Sequence, residues 1–151
     1  MRPSSILFLT LTLLALVGAT ANAAEPVGPK LPPQVRSLLV QEMNAILDAS
    51  EAILGAIVRG QDDVVATKAQ AIHDSFVLRQ EMTAENRKAF MEAVPPSFVK
   101  RDRAFHRLTA ELAAAAREEN RVRQRRLYAE MIEACTACHS RYASDRFPRL
   151  Q

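Results

Sequence analysis

Leu127-Tyr128-Ala129-Glu130-Met131-Ile132-Glu133-Ala134-Cys135-Thr136-Ala137-Cys138-His139-Ser140-Arg141-Tyr142 is the stretch on which the reading of this chain turns. Leu127, Met131, Cys135, Cys138, His139 and Tyr142 recur at spacings of three and four, which puts them on one face of a helix. Inside that frame stands Cys135-Thr136-Ala137-Cys138-His139, and its two cysteines are the only ones in 151 residues. The thiols lie about one turn apart, so both sulfurs leave the same side of the helix with an imidazole beside them. Cys-x-x-Cys-His is the pattern of c-type haem attachment, two thioether anchors followed by an iron ligand. The motif predicts one covalent haem c, held by Cys135 and Cys138, with His139 as the proximal ligand.

Other uses of the same residues fit less well. A zinc site normally takes four ligands, and with no second cysteine pair it would have to recruit His73 and His106 across the fold. A thioredoxin-like dithiol belongs at a helix N-terminus after a strand, whereas here Glu130 and Glu133 precede the pair within a helical pattern. A disulfide three residues long closes too small a loop to stabilise much.

Working outward, the N-terminus agrees with an oxidising compartment. Arg2, the apolar run from Ile6 to Val17 and Ala21-Asn22-Ala23 read as the n-region, h-region and cleavage site of a signal peptide over residues 1–23. The h-region is too short to span a bilayer. The expected mature chain begins at Ala24, is exported to the periplasm in a bacterium, and has no membrane span after cleavage. Its formal charge is about +2 once Arg2 is gone, which gives no footprint for nucleic acid.

The remaining pattern is helical. There is no Trp and little aromatic content, alanine is abundant, and no strand alternation appears. Pro26, Pro29, Pro32 and Pro33 make residues 24–33 an extended leader, and residues 34–151 the bundle. A first helix runs from about Pro33 to Arg59 and stops at Gly60. Its inward stripe is Val35, Leu39, Met43, Ile46, Ser50, Ile53 and Ile57, widened by Leu38, Leu47, Leu54 and Val58. Asp62 caps a second helix carrying Val65, Ala69, Ile72, Phe76 and Val77 to about Met82. Thr83 caps a short extra helix, Ala84 to about Ala93, which ends before Pro95 and Pro96. A third long helix, about Ser97 to Arg117, turns Phe98, Phe105, Leu108, Leu112 and Ala116 inward. The fourth, capped by Asn120, carries the motif and ends near Ser144. The expected fold is all-α: an antiparallel up-down four-helix bundle with a short extra helix between the second and third.

An exported four-helix chain with Cys135-Thr136-Ala137-Cys138-His139 on its last helix resembles the class II c-type cytochromes, the cytochrome c-prime group. The resemblance covers essentially all of the mature chain, and only the haem motif is specific. Tyr142 matches an aromatic common three residues after the histidine, while Ala143 departs from the basic residue often found next; Arg141 or Arg146 are candidates to replace it.

The distal side of the iron is left to the upstream sequence. By helix rise, Met43, His73 and His106 all lie at a depth that a haem on the last helix reaches. Met43 falls in the middle of the first helix's stripe, whereas His73 and His106 flank theirs and suit packing or hydrogen bonding. The resemblance implies a methionine ligand at about this place in low-spin members and an open iron in high-spin ones. Met43 is thus the expected distal metal ligand, beside a five-coordinate alternative. A methionine on an apolar stripe is also ordinary core material.

The expected function is a periplasmic single-electron carrier working between redox partner proteins, with a homodimer among the states open to it. No nucleophile–base pair or acid–base dyad points to an enzyme. The alternative is a five-coordinate haem protein that binds nitric oxide or carbon monoxide for sensing or detoxification. Arg121, Arg123, Arg125 and Arg126 open the last helix some 20 Å from His139 and read as a solvated face.

Overall fold

In a computed structural model, residues 23–74 and 82–150 are described. The expected signal peptide therefore lies outside the described residues apart from Ala23, as do Phe76 and Val77. Five helices follow in order: α1 (Pro33–Arg59), α2 (Asp62–Asp74), α3 (Ala84–Ala93), α4 (Pro96–Arg117) and α5 (Arg121–Tyr142). Short 3-10 turns sit at Gly28–Lys30 and Pro148–Leu150, and there is no strand among the described residues. The fold is all-α, as the pattern predicts.

The helix ends follow from local chemistry. Pro33 and Pro96 begin α1 and α4, where a missing N–H costs nothing. Gly60 closes α1 at φ 69°, a left-handed conformation open to glycine, and the Gln61 N–H returns to the Ala56 carbonyl at 2.9 Å. The Thr83 hydroxyl accepts from the Asn86 N–H at 3.1 Å, and the Asn120 side chain accepts from the Arg123 N–H at 3.1 Å. Between α4 and α5 there is no glycine, so Glu119 itself takes φ 53°. That strained residue is why the boundary is faint in the sequence. Two ends differ from expectation: α5 stops at Tyr142 rather than Ser144, and Met82 is not helical.

Links as short as Gly60-Gln61 and Glu118-Glu119-Asn120 reverse the chain, so α1 with α2, and α4 with α5, form hairpins. Together with α2 against α4 these pairs pack along their lengths, while α1 and α5 approach each other at only a few positions. One cluster joins Ile46, Ile53, Val65, Ile72, Leu112, Leu127 and Met131, with alanines of α2 and α4 allowing close approach. A second gathers Val27, Leu31, Val35, Leu38, Phe90, Val94, Phe98 and Tyr142 around the end of α5.

The leader is part of that second cluster rather than a free extended segment. Val27 and Leu31, four residues apart across the 3-10 turn, are both buried. The Glu25 and Val27 N–H groups donate to the Arg141 and Tyr142 carbonyls at 2.8 and 2.9 Å. Those are last-turn carbonyls of α5 without partners inside the helix, so the leader completes the helix end while burying its own apolar side chains.

The face of α1 is also corrected. Its buried residues are Val35, Leu38, Glu42, Ile46, Ser50, Ile53 and Ala56. Met43 is half-buried at the edge of that stripe rather than in its middle. Leu47, Leu54 and Val58 are 56, 50 and 78% exposed. A 27-residue helix with apolar residues on more than half its circumference allows several stripe assignments, and only the packed neighbours choose among them.

His106 is buried, not at the bundle edge, and it ties α4 to α2. Its Nδ1–H donates to the Ile72 carbonyl at 2.9 Å, and the His73 Nδ1–H returns the bond to the His106 carbonyl at 2.8 Å. Burial disfavours the His106 imidazolium, but Asp102 at 3.6 Å, the Ile72 carbonyl and the charge of Glu42 outweigh it, and the pKa is raised. A raised pKa gives stability that is complete below the unfolded value near 6.5 and is lost as pH rises through the folded one. The urea midpoint should therefore fall as pH rises from about 6.5, and Asp102→Asn should flatten that fall. An unchanged slope in the variant would show that Asp102 does not hold the proton.

Candidate functional site

The motif occupies the last two turns of α5. Cys135 and Cys138 are both free thiols, each partly buried, with Cys138 packed against the second cluster. Burial pushes the Cys138 thiol up to about 11, against a lowering influence from Arg101, and burial also raises Cys135. Neither is the low-pKa thiolate that a redox dithiol needs. His139 is also partly buried; desolvation, with Arg146 nearby, lowers its pKa, so the ring is neutral at pH 7 with a lone pair to offer. The Phe147 ring stacks on it at 4.8 Å and 7° and restricts its orientation.

Across from this face stands α1. The two helices are joined by Tyr128, whose hydroxyl donates to the Ser50 carbonyl at 3.1 Å and lies 3.3 Å from the Ser50 hydroxyl. They run in opposite directions, since Val35 and Leu38 share the second cluster with Tyr142. Seven residues from Ser50 towards the start of α1 is Met43, and seven residues beyond Tyr128 is Cys135. Both lie about 10 Å from the tether by helix rise, so the Met43 thioether and the cysteine pair occupy one level. Leu39 occupies the level of His139. Met43 packs on the first cluster and Cys138 on the second, so the candidate site lies where the two clusters meet.

One buried atom here lacks a partner among the described residues. Tyr142 is 1% exposed, held edge-on by Phe98 at 5.3 Å, and its hydroxyl makes no hydrogen bond. An unsatisfied buried hydroxyl costs about 1–3 kcal/mol. It stands one turn after Cys138 and leaves an unpaired donor beside the motif. Together with two free thiols on one side of α5, a neutral imidazole and a thioether at the same level, this donor set fits a haem.

Zinc fits poorly. His73 and His106 are committed to each other's helix backbones, and among the described residues no three His, Cys, Asp or Glu side chains converge to hold a bare ion. Of the cations proposed to neutralise a haem edge, Arg141 pairs with Glu25 at 3.4 Å, while Arg146 lies close enough to act on His139.

Sequence reasoning missed Phe147, Glu42 and the Tyr128–Ser50 tether. Glu42 is 2% exposed and within electrostatic reach of His106. Its signal was its spacing, four residues from both Leu38 and Ile46 on one face. The tether and the Phe147 stack depend on chain reversals that no local pattern encodes.

No family model matches the chain, nor does a curated protein or a solved structure. The function therefore has to be argued from these residues alone. Among the described residues, no helix is long and apolar enough to cross a membrane.

Proposed function

We propose that this chain is a periplasmic mono-haem c-type cytochrome that carries single electrons between redox partner proteins. The observation that carries the proposal is the pair of free, half-buried thiols on one side of α5, with His139 next in sequence and Met43 at their level on α1. Cys135 and Cys138 would hold the haem as thioethers, and His139 and Met43 would serve as its iron ligands. The haem supplies the ferric–ferrous couple, and the protein supplies ligands, burial and electrostatic setting. Phe147, stacked on His139, would hold the imidazole plane, and the Tyr142 hydroxyl would be a donor for a carboxylate of the bound group. Export is part of the proposal: residues 1–23 serve as signal peptide, and the leader meets α5 from Glu25 onwards, two residues after Ala23.

A second reading has its own support. At the level of His139, α1 presents Leu39 rather than a donor, which suits a five-coordinate iron open to nitric oxide or carbon monoxide. The visible spectrum of the reduced holoprotein separates the two. The carrier predicts a sharp low-spin spectrum that carbon monoxide leaves unchanged; a high-spin spectrum that carbon monoxide converts at once selects the gas-binding protein.

A further inference from the structure

Beside α3 and the start of α4 the surface opens into a groove of about 690 Å³. Met91, Val94 and Val99 give it an apolar floor, and Lys100, Arg103 and Arg107 line its α4 side. The spacing of three and then four residues puts these three cations on one helix face. All three are exposed, and among the described residues none of them has a hydrogen bond or an ion pair. The acid in the lining, Glu92, is held by Lys88 at 3.9 Å. The groove thus presents uncompensated positive charge around an apolar strip.

Its position relative to the motif matters. Val94 lines the groove and also belongs to the second cluster, against which Cys138 packs. Groove and motif thus border the same apolar cluster.

We propose that this groove is the docking face for the acidic surface of a redox partner protein, one that sets carboxylates around a small apolar patch. The inference rests on the electron-carrier reading and adds where the partner binds and what chemistry it presents. Unpaired cations around an apolar floor favour encounter with an opposite charge, and the apolar strip supplies close contact after water leaves. Among the described residues the lining contains no aromatic side chain on which a base could stack, which disfavours a single-stranded nucleic acid as occupant. A docked partner would lie against the cluster on which Cys138 packs. In the transfer itself one electron leaves ferrous iron, which becomes ferric, and reduces the partner's oxidised centre.

The test uses the purified exported protein and two probes. The first is a fluorescein-labelled helical peptide with glutamates surrounding a leucine strip, followed by fluorescence anisotropy. The second is hexacyanoferrate(III), reduced to hexacyanoferrate(II) by the ferrous protein and followed by stopped flow. Reversing the rim charges (Lys100→Glu, Arg103→Glu, Arg107→Glu) should weaken peptide binding and slow oxidation by about ten-fold or more. The same number of reversals at the far end of the bundle (Arg59→Glu, Arg125→Glu, Arg126→Glu) should change either by no more than about two-fold, since charges beyond a Debye length of about 8 Å are screened. The glutamine variants at 100, 103 and 107 should give an intermediate loss with unchanged helicity, which guards against misfolding. Equal losses in the rim and far-end variants, or peptide binding unaffected by reversal at the rim, would overturn the proposal. So would tighter binding to phosphatidylglycerol vesicles than to the peptide, since the occupant would then be a lipid surface. The peptide arm needs no iron, so absence of haem and absence of docking are read separately.

Discussion

Cys135→Ala combined with Cys138→Ala is expected to abolish covalent haem altogether. Wild-type protein made with haem-attachment machinery should keep its colour on the polypeptide after acid-acetone extraction and exceed the apoprotein mass by one haem. The double variant should do neither, because no other cysteine exists to form a thioether. A ligand bound only by the native bundle favours folding, so the haem-free variant should also lose helicity and melt lower by about 10 °C. One physical cause is local: without a bound group, the buried Tyr142 hydroxyl one turn after Cys138 stays unsatisfied. Single variants should keep one thioether and an intermediate stability. Colour that passes entirely into the solvent from the wild type, or zinc in its place, would end the cytochrome reading.

Met43→Ala tests the distal side and should have the second largest effect. A thioether sulfur is a soft donor that favours ferrous iron, so its loss should lower the reduction potential by roughly 100 mV or more, within the ≈ 0.8 V span open to axial ligation. The variant should keep its covalent haem, become high-spin when reduced and bind carbon monoxide readily. Because Met43 is at the edge of the α1 stripe and half-buried, its truncation should disturb packing less than a core Leu→Ala change. Leu39→Ala provides the comparison: it also trims a half-buried side chain next to the second cluster but leaves the sulfur in place. If Met43→Ala leaves the spectrum unaltered, Met43 is packing material and Leu39 faces an open iron.

The helices themselves were legible residue by residue. Gly60, Thr83, Asn120 and the two prolines at 33 and 96 act through local backbone chemistry, and their effects reach only a turn or so. The Glu118–Asn120 link was faint because a non-glycine residue takes the left-handed position there. The motif was legible for a related reason: the spacing of two thiols and an adjacent imidazole are properties of one helical turn.

By itself, then, the sequence determined the helical class, most helix ends and the side of α5 from which Cys135, Cys138 and His139 project, all of them consequences of short-range backbone geometry. Tertiary structure alone decided that Glu42 rather than Met43 takes the buried position, and that the leader closes the end of α5. It also decided that Tyr128 ties α5 to Ser50, that Phe147 turns back onto His139 and that α1 and α5 stay apart over most of their length. The reason is that helix rotation and spacing are fixed by which partners remove the most apolar surface from water while leaving each polar group a partner. A stripe as wide as that of α1 satisfies several rotations in isolation, and only the neighbouring helices select one of them.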